Sequence, residues 1–237
     1  MKKLPPTTNV PWRPDAILRS MELARNTQPE LLADYLKMLV IHIDAMYGDI
    51  ANIVNKNAED VWDDLRVSLH TGQVPAANYP SWSLVKDNGS GSTGVRAYHF
   101  SDGEYLWLTT QMPHGYKEGT TIYPHIHFMT TTNVSPTQNF GIGMEYSWTN
   151  TGDVITTTTL TPTLDIPTGV NSSYKHQKAN VITAGISWTG KTISSMFMVR
   201  LFRAAASASN YAADVIITDF DIHFQKDHHG SANILTK

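Results

Sequence analysis

The sequence predicts a mainly β protein, a jelly-roll-like antiparallel β-sandwich preceded by an N-terminal helical oligomerisation segment. Three observations carry this. After residue 60, about eight short segments alternate or run apolar at strand length. They are separated by turns rich in Gly, Asn and Ser, with no helical periodicity between them. Before residue 60, apolar residues recur at the spacing of one long helix. Residues 1–60 and 61–237 are therefore read as separate domains.

Residues 1–16 hold four prolines (Pro5, Pro6, Pro11, Pro14) and Trp12, the composition of an arm ordered by docking or of a free leader. A short helix is expected over 15–27, with Ile17, Met21 and Ala24 on one side. Thr27, with Glu30 three residues on, makes a capping box, and a longer helix runs from there to about Asn55. Leu36, Ile43 and Ile50 fall at heptad position a, and Leu32, Leu39, Met46 and Ile53 at d. Seven such side chains, buried at ~1.5–3 kcal/mol each, would contribute on the order of 10–20 kcal/mol before entropy. That is enough to hold an oligomer together. The alternative is a hairpin packed on its own domain. Leu31, Tyr35, Met38, Val40, Ile41, Ala45 and Tyr47 widen the stripe beyond a two-helix seam, and a closed trimer is the expected state.

Strands are expected at 95–100, 104–111, 122–131, 140–149, 153–160, 180–187, 193–203 and 214–225. Met144, Tyr146 and Trp148 alternate with Glu145 and Ser147, which marks a half-buried strand. Met196 to Phe202 is nearly continuous apolar sequence, which predicts a strand covered on both faces. Asp87-Asn-Gly-Ser-Gly-Ser-Thr-Gly94 and Asn150-Thr-Gly-Asp153 are turns.

Two strands carry the candidate chemistry. In Tyr123-Pro-His-Ile-His-Phe-Met129, Ile126 and Phe128 point one way while His125, His127 and Met129 point the other. Asp219-Phe-Asp-Ile-His-Phe-Gln225 repeats the arrangement, with Phe220, Ile222 and Phe224 apolar and Asp219, Asp221, His223 and Gln225 polar. His125, His127 and His223 are candidate ligands of a divalent metal, three imidazoles with an open position. Without metal, the same side chains would bond Asp219, Asp221 and backbone, or meet symmetry mates.

Totals exclude several classes. A formal charge of -3 with no basic stripe argues against a nucleic-acid partner. The absence of cysteine removes disulfides, thiolate metal sites and cysteine catalysis. No run approaches the ~20 apolar residues of a membrane span, and no apolar stretch follows Lys2 and Lys3 to make a secretory signal. Neither a G-x-S-x-G elbow nor a phosphate-cradling G-x-x-x-x-G-K loop is present, so no catalytic residues are assigned and the protein is read as a non-enzyme. Tyr79, Trp82, Tyr98, Tyr105 and Trp107 fit either core packing or stacking on a sugar.

Two resemblances stand beside these readings. Gly119, five residues, His125, one residue and His127 resemble the first half of the cupin motif, which implies a metal-binding jelly roll acting on a small molecule. The match then departs: the next glutamate, Glu145, is eighteen positions beyond His127, and the second cupin motif is not found. On that rival reading the ligands are His125, His127, His223 and Glu145. The second covers roughly residues 60–230. Trp62-Asp-Asp-Leu-Arg66, Pro75-Ala-Ala-Asn-Tyr-Pro80, Gln111-Met-Pro-His-Gly-Tyr-Lys-Glu-Gly119, Tyr123-Pro-His-Ile-His127, Lys191-Thr-Ile-Ser-Ser195, Tyr211-Ala-Ala-Asp214 and Asp221-Ile-His223 together resemble uncharacterised proteins of tailed bacteriophages. This implies a virion structural component of the collar, fibre, spike or decoration type, made in the host cytoplasm. It would dock on other virion proteins through its N-terminal segment. The resemblance brings no catalytic residues. A carbohydrate-binding head facing host-surface glycans is compatible with it.

Overall fold

The computed structural model describes Arg19, Glu22, Arg25 and residues 29–58, 61–155, 157–227 and 230. The Pro-rich arm, the Thr27 cap and most of the expected 15–27 helix lie outside the described residues. The chain divides into two compact units, Met1–Ala58 and Glu59–Lys237.

In the first unit Arg19, Glu22 and Arg25 are helical, and a long helix, α1, spans Pro29–Ala58. Its seam side chains Leu36, Ile43, Met46 and Ile50 are between 42% and 58% exposed, and Leu39 is half-buried. Met38, Val40, Ile41 and Tyr47 are exposed as well. The side chains of Leu32 and Ile53 lie outside the described residues. Among the described residues, no helix is long and apolar enough to cross a membrane.

The second unit contains β1 (Val61–Val67), β2 (Ser81–Asp87), β3 (Gly94–Phe100), β4 (Tyr105–Gln111), β5 (Tyr123–Thr130), β6 (Asn139–Thr149), β7 (Thr159–Leu160), β8 (Leu164–Pro167), β9 (Gln177–Asn180), β10 (Met196–Ala204) and β11 (Val215–Lys226). They form two antiparallel sheets, so the unit is a β-sandwich. One sheet runs β2-β3-β11-β5-β9, with β1 also on β11; the other runs β4-β10-β6-β7, with β8 on β6. The core lies between them. Phe100, Ile126, Phe128, Val215, Ile217, Phe220, Ile222 and Phe224 face Leu106, Leu108, Phe140, Ile142, Met144, Phe197, Val199 and Leu201, all buried. Each set follows the two-residue period that strands impose.

β11 departs from that period once. It pairs with β1 and β3 along one edge and with β5 along the other. Ile217 lies opposite Phe128 and Asp219 opposite His127, so Thr218 is an extra residue, a β-bulge. The bulge lets Val215 and Ile217 on one side of it, and Phe220, Ile222 and Phe224 on the other, all reach the core. Asp219, Asp221 and His223 are thereby sent to the outer face.

A buried arginine ties the end of the sandwich. Arg203 is 1% exposed, and its Nη1 donates to the carbonyls of Phe100 and Ala213 at 2.5 and 2.8 Å. Nη2 donates to the carbonyl of Tyr211. Asp102 Oδ1 stands 3.0 Å from Nε, a charge contact off the hydrogen-bond direction.

Several expectations are corrected. Of residues 153–160 only Thr159–Leu160 pair as a strand, and after Asn180 the chain leaves the sheet, touching it again through the Ile122–Ile186 bridge. β1 and β2 fall where no strand was expected, because Asp63, Asp64, Arg66 and Lys86 interrupt the apolar pattern. β10 is not covered on both faces: Met196 is 40% exposed, and Met198, Arg200 and Phe202 are half-buried on the outside. Phe202 lies flat there because Gly143 beside it has no side chain; a Cβ would come within 2.4 Å of its ring.

Candidate functional site

Each sheet presents an outer face with its own chemistry. On the β1-β11-β5-β9 face, the registers set side chains in rows. Arg66, Asp221, His125 and Asn180 are successive cross-strand partners, as are Asp64, His223 and Tyr123. Asp219, His127 and Lys178 form a third row. His125, His127 and His223 therefore share one face, as the alternation of their strands requires, but they do not converge on one point. His125 Nε2 lies 3.2 Å from His127 Nε2 and 3.5 Å from Asp221 Oδ2, while His127 Nε2 lies 3.1 Å from the same oxygen. His223 turns to Asp64, Nε2 to Oδ1 at 3.2 Å, and its ring centroid is 4.2 Å from that of His125. His125 is thus shared by two sets with metal-ligand spacing, one with His127 and Asp221, the other with Asp64 and His223.

Burial governs the electrostatics here. It pulls the pKa of His125 down to about 4, with His223 and His127 adding to the shift. It pushes Asp221 up, against the pull of His127 and Arg66. Asp219 is raised by burial and then by Asp221, although its Oδ2 is 2.9 Å from Arg66 Nε. The sequence reading did not find Asp64 or His176. Asp64 lies in β1, whose charged residues hide the strand period, so its face was not legible in the sequence. His176, whose Nε2 is 2.7 Å from His127 Nδ1, stands in a loop and gives no sequence signal. Trp62, Tyr123, Lys178 and Asn180, with His125 and His223, border an open cleft of about 540 Å³.

Glu145 is not near these histidines. It lies on the outer face of the other sheet, so the four-ligand set His125, His127, His223 and Glu145 is not assembled. Trp107, Arg200 and Glu145 form one cross-strand row of that sheet; Tyr105, Phe202 and Gly143 form the next. Arg200 Nη2 and Nε lie 2.8 and 2.9 Å from Glu145 Oε2, and Thr158 donates to Oε1 at 2.6 Å. These hydrogen bonds hold the Glu145 carboxyl below its usual range, Thr158 first and Arg200 second. The guanidinium also lies over the rings of Phe202 and Tyr105, 5.0 and 5.4 Å from their centroids. Trp107 is 44% exposed and meets Tyr105 edge to face at 5.2 Å. Tyr105, Trp107, Glu145, Thr158, Met198 and Arg200 line a shallow cleft of about 620 Å³. Of the other aromatics singled out in the sequence, Tyr98 packs against the core, whereas Tyr79 and Trp82 are exposed on the surface.

No family model matches the chain, and no curated protein matches it. Solved structures similar to it include a family 35 carbohydrate-binding module from an environmental isolate, at 15% identity and a TM-score of 0.35, covering 67% of this chain and 91% of that one. Another is the CBM22-1-GH10 part of xylanase 10B of Clostridium thermocellum, solved with xylohexaose: 15% identity, TM-score 0.32, 73% of this chain and 27% of that one. A third is the stem and receptor-binding domain of spike protein P1 of bacteriophage PM2, at 5% identity and a TM-score of 0.28, covering 68% and 66%. Likenesses this distant carry no argument about what the chain binds.

Proposed function

We propose that the β-sandwich is a non-enzymatic glycan-binding head and that α1 joins copies of it on a phage particle. The observation that carries the glycan reading is the open face where Trp107 and Tyr105 flank the Arg200–Glu145 pair. An exposed indole offers its π face to the C–H side of a pyranose ring, and a neighbouring carboxylate and guanidinium accept from and donate to ring hydroxyls. The pair is already fixed by Thr158 and by the aromatic rings beneath the guanidinium, so little side-chain order is lost on binding. The cleft falls within the roughly 300–1,000 Å³ of small-ligand sites, and its openness to solvent suits a chain-like ligand better than an enclosed one.

The exposed leucine, isoleucine and methionine side chains of α1 support assembly, with a trimer as the expected state. The resemblance of segments between residues 60 and 230 to phage proteins supports placing the assembly on a virion. The test is a glycan array probed with full-length protein, followed by calorimetry on the sugars retained. Trp107→Ala should weaken binding on the order of 10-fold or more, as loss of a central aromatic anchor does, while Trp82→Ala on the other sheet should leave it unchanged. An array without retained sugars, or equal binding by Trp107→Ala, would refute the reading.

A further inference from the structure

We propose that His125 Nε2, His127 Nε2 and a carboxylate oxygen of Asp221 form a three-ligand site for one first-row divalent metal ion. The site is on the sheet opposite the glycan face and stands independently of it. The three donor atoms are 3.2, 3.5 and 3.1 Å apart. Donors held ~2.0–2.2 Å from an ion, at tetrahedral to octahedral angles, stand roughly 2.9–3.5 Å from one another. All three edges of the triangle meet that spacing. Hydrogen bonding alone accounts for it less well, because one proton bridges only two of three converging atoms.

Buried polar atoms make the second observation. His125 and Asp221 are each only 2% exposed, and Arg66 Nε stands 3.8 Å from Asp221 Oδ1, beyond hydrogen-bond reach. A carboxylate held this far from water gains from a cation at its other oxygen, Oδ2, the atom that both imidazoles approach. The third observation is His176: its Nε2 lies 2.7 Å from His127 Nδ1. A metal-bound imidazole donates its second ring N–H to an acceptor, usually a carboxylate, carbonyl or water, and an unprotonated His176 Nε2 can fill that place. The ligands come from paired strands, His125 directly opposite Asp221, so the geometry is set by backbone rather than by a loop. Two imidazoles and one carboxylate favour zinc, iron, cobalt or nickel over calcium or magnesium. His223 and Asp64 are neighbours of the site and not ligands of this ion.

The experiment uses the full-length chain, stripped with chelator and titrated with Co²⁺ alone, then with Zn²⁺ in competition. The expected result is one saturable Co²⁺ per chain with visible d–d bands, displaced by Zn²⁺. Asp221→Asn and His127→Ala should each weaken binding on the order of 100-fold, and His176→Ala by about 10- to 100-fold. His223→Ala should change it less than about 3-fold, a bound set by the context spread of such measurements. His176 is exposed, so its variant reads the site even where the two ligand variants fail to fold. Absence of saturable binding in the unmodified chain would overturn the assignment. So would retention of binding in His176→Ala together with its loss in His223→Ala, which would place the ion in the other cluster.

Discussion

Arg203→Met isolates the contribution of the guanidinium that closes the end of the sandwich. Methionine keeps much of the apolar stem but offers no donor. Three carbonyls, those of Phe100 and Tyr211, which are buried, and of Ala213, which is partly so, then lose this donor. Each unsatisfied group costs about 1–3 kcal/mol. Two effects reduce the sum. Burial already pulls the Arg203 pKa down, so removing the charge recovers desolvation energy. Asp102 is about one-third exposed and can be rehydrated once its partner is gone. The expected net loss is about 3–5 kcal/mol, the usual consequence of breaking a buried charged network. For a domain of this size that lowers Tm by roughly 10 °C. Urea denaturation followed by tryptophan fluorescence measures it directly. Arg203→Lys should fall between the two, since one ammonium cannot reach all three carbonyls. A methionine variant within about 1 kcal/mol of the parent, the net worth of a single hydrogen bond, would show that the network is not what holds this end together.

Three further outcomes are expected. Gly143→Ala should destabilise by ~1–3 kcal/mol, because its Cβ would meet the Phe202 ring and force it off the sheet; chemical denaturation checks this. Burial lowers the His99 pKa from 6.5, with Asp214 opposing, so the unfolded chain takes up the proton first as pH falls. Stability is therefore full above that value and declines below it, and His99→Phe should flatten the decline below a pH of about 6.5 in urea titrations. Ile43→Asp with Ile50→Asp should shift sedimentation of the full chain from oligomer to monomer while leaving the tryptophan spectrum of the sandwich unchanged.

The sandwich was legible in the sequence where one face of a strand is dry. Ile126 and Phe128, or Phe220, Ile222 and Phe224, alternate cleanly because the other face is wet. It was not legible in β1, where Trp62, Asp64 and Arg66 face outward and only Leu65 and Val67 mark the inside. It misled in β10, where Met198 and Phe202 look like core residues but lie on the open face. The shared face of His125, His127 and His223 followed from strand period alone. Which carboxylate each imidazole meets did not, because that depends on the register of β1 and β5 against β11. The aromatic and charged row at Trp107, Arg200 and Glu145 escaped for the same reason: it draws one residue from each of three strands far apart in sequence.

Thr218 sets the phase of everything downstream of it in its strand. Pairing it in register, with no bulge, would rotate the whole downstream segment half a turn, whereas deleting it would give strict alternation with the same residues inside. In that unbulged strand phenylalanine and isoleucine would point at water, and two acids and an imidazole at oil. The last strand should accordingly accept many point substitutions on its wet side, and among single-residue changes of length within it only the loss of Thr218 would leave both faces as they are.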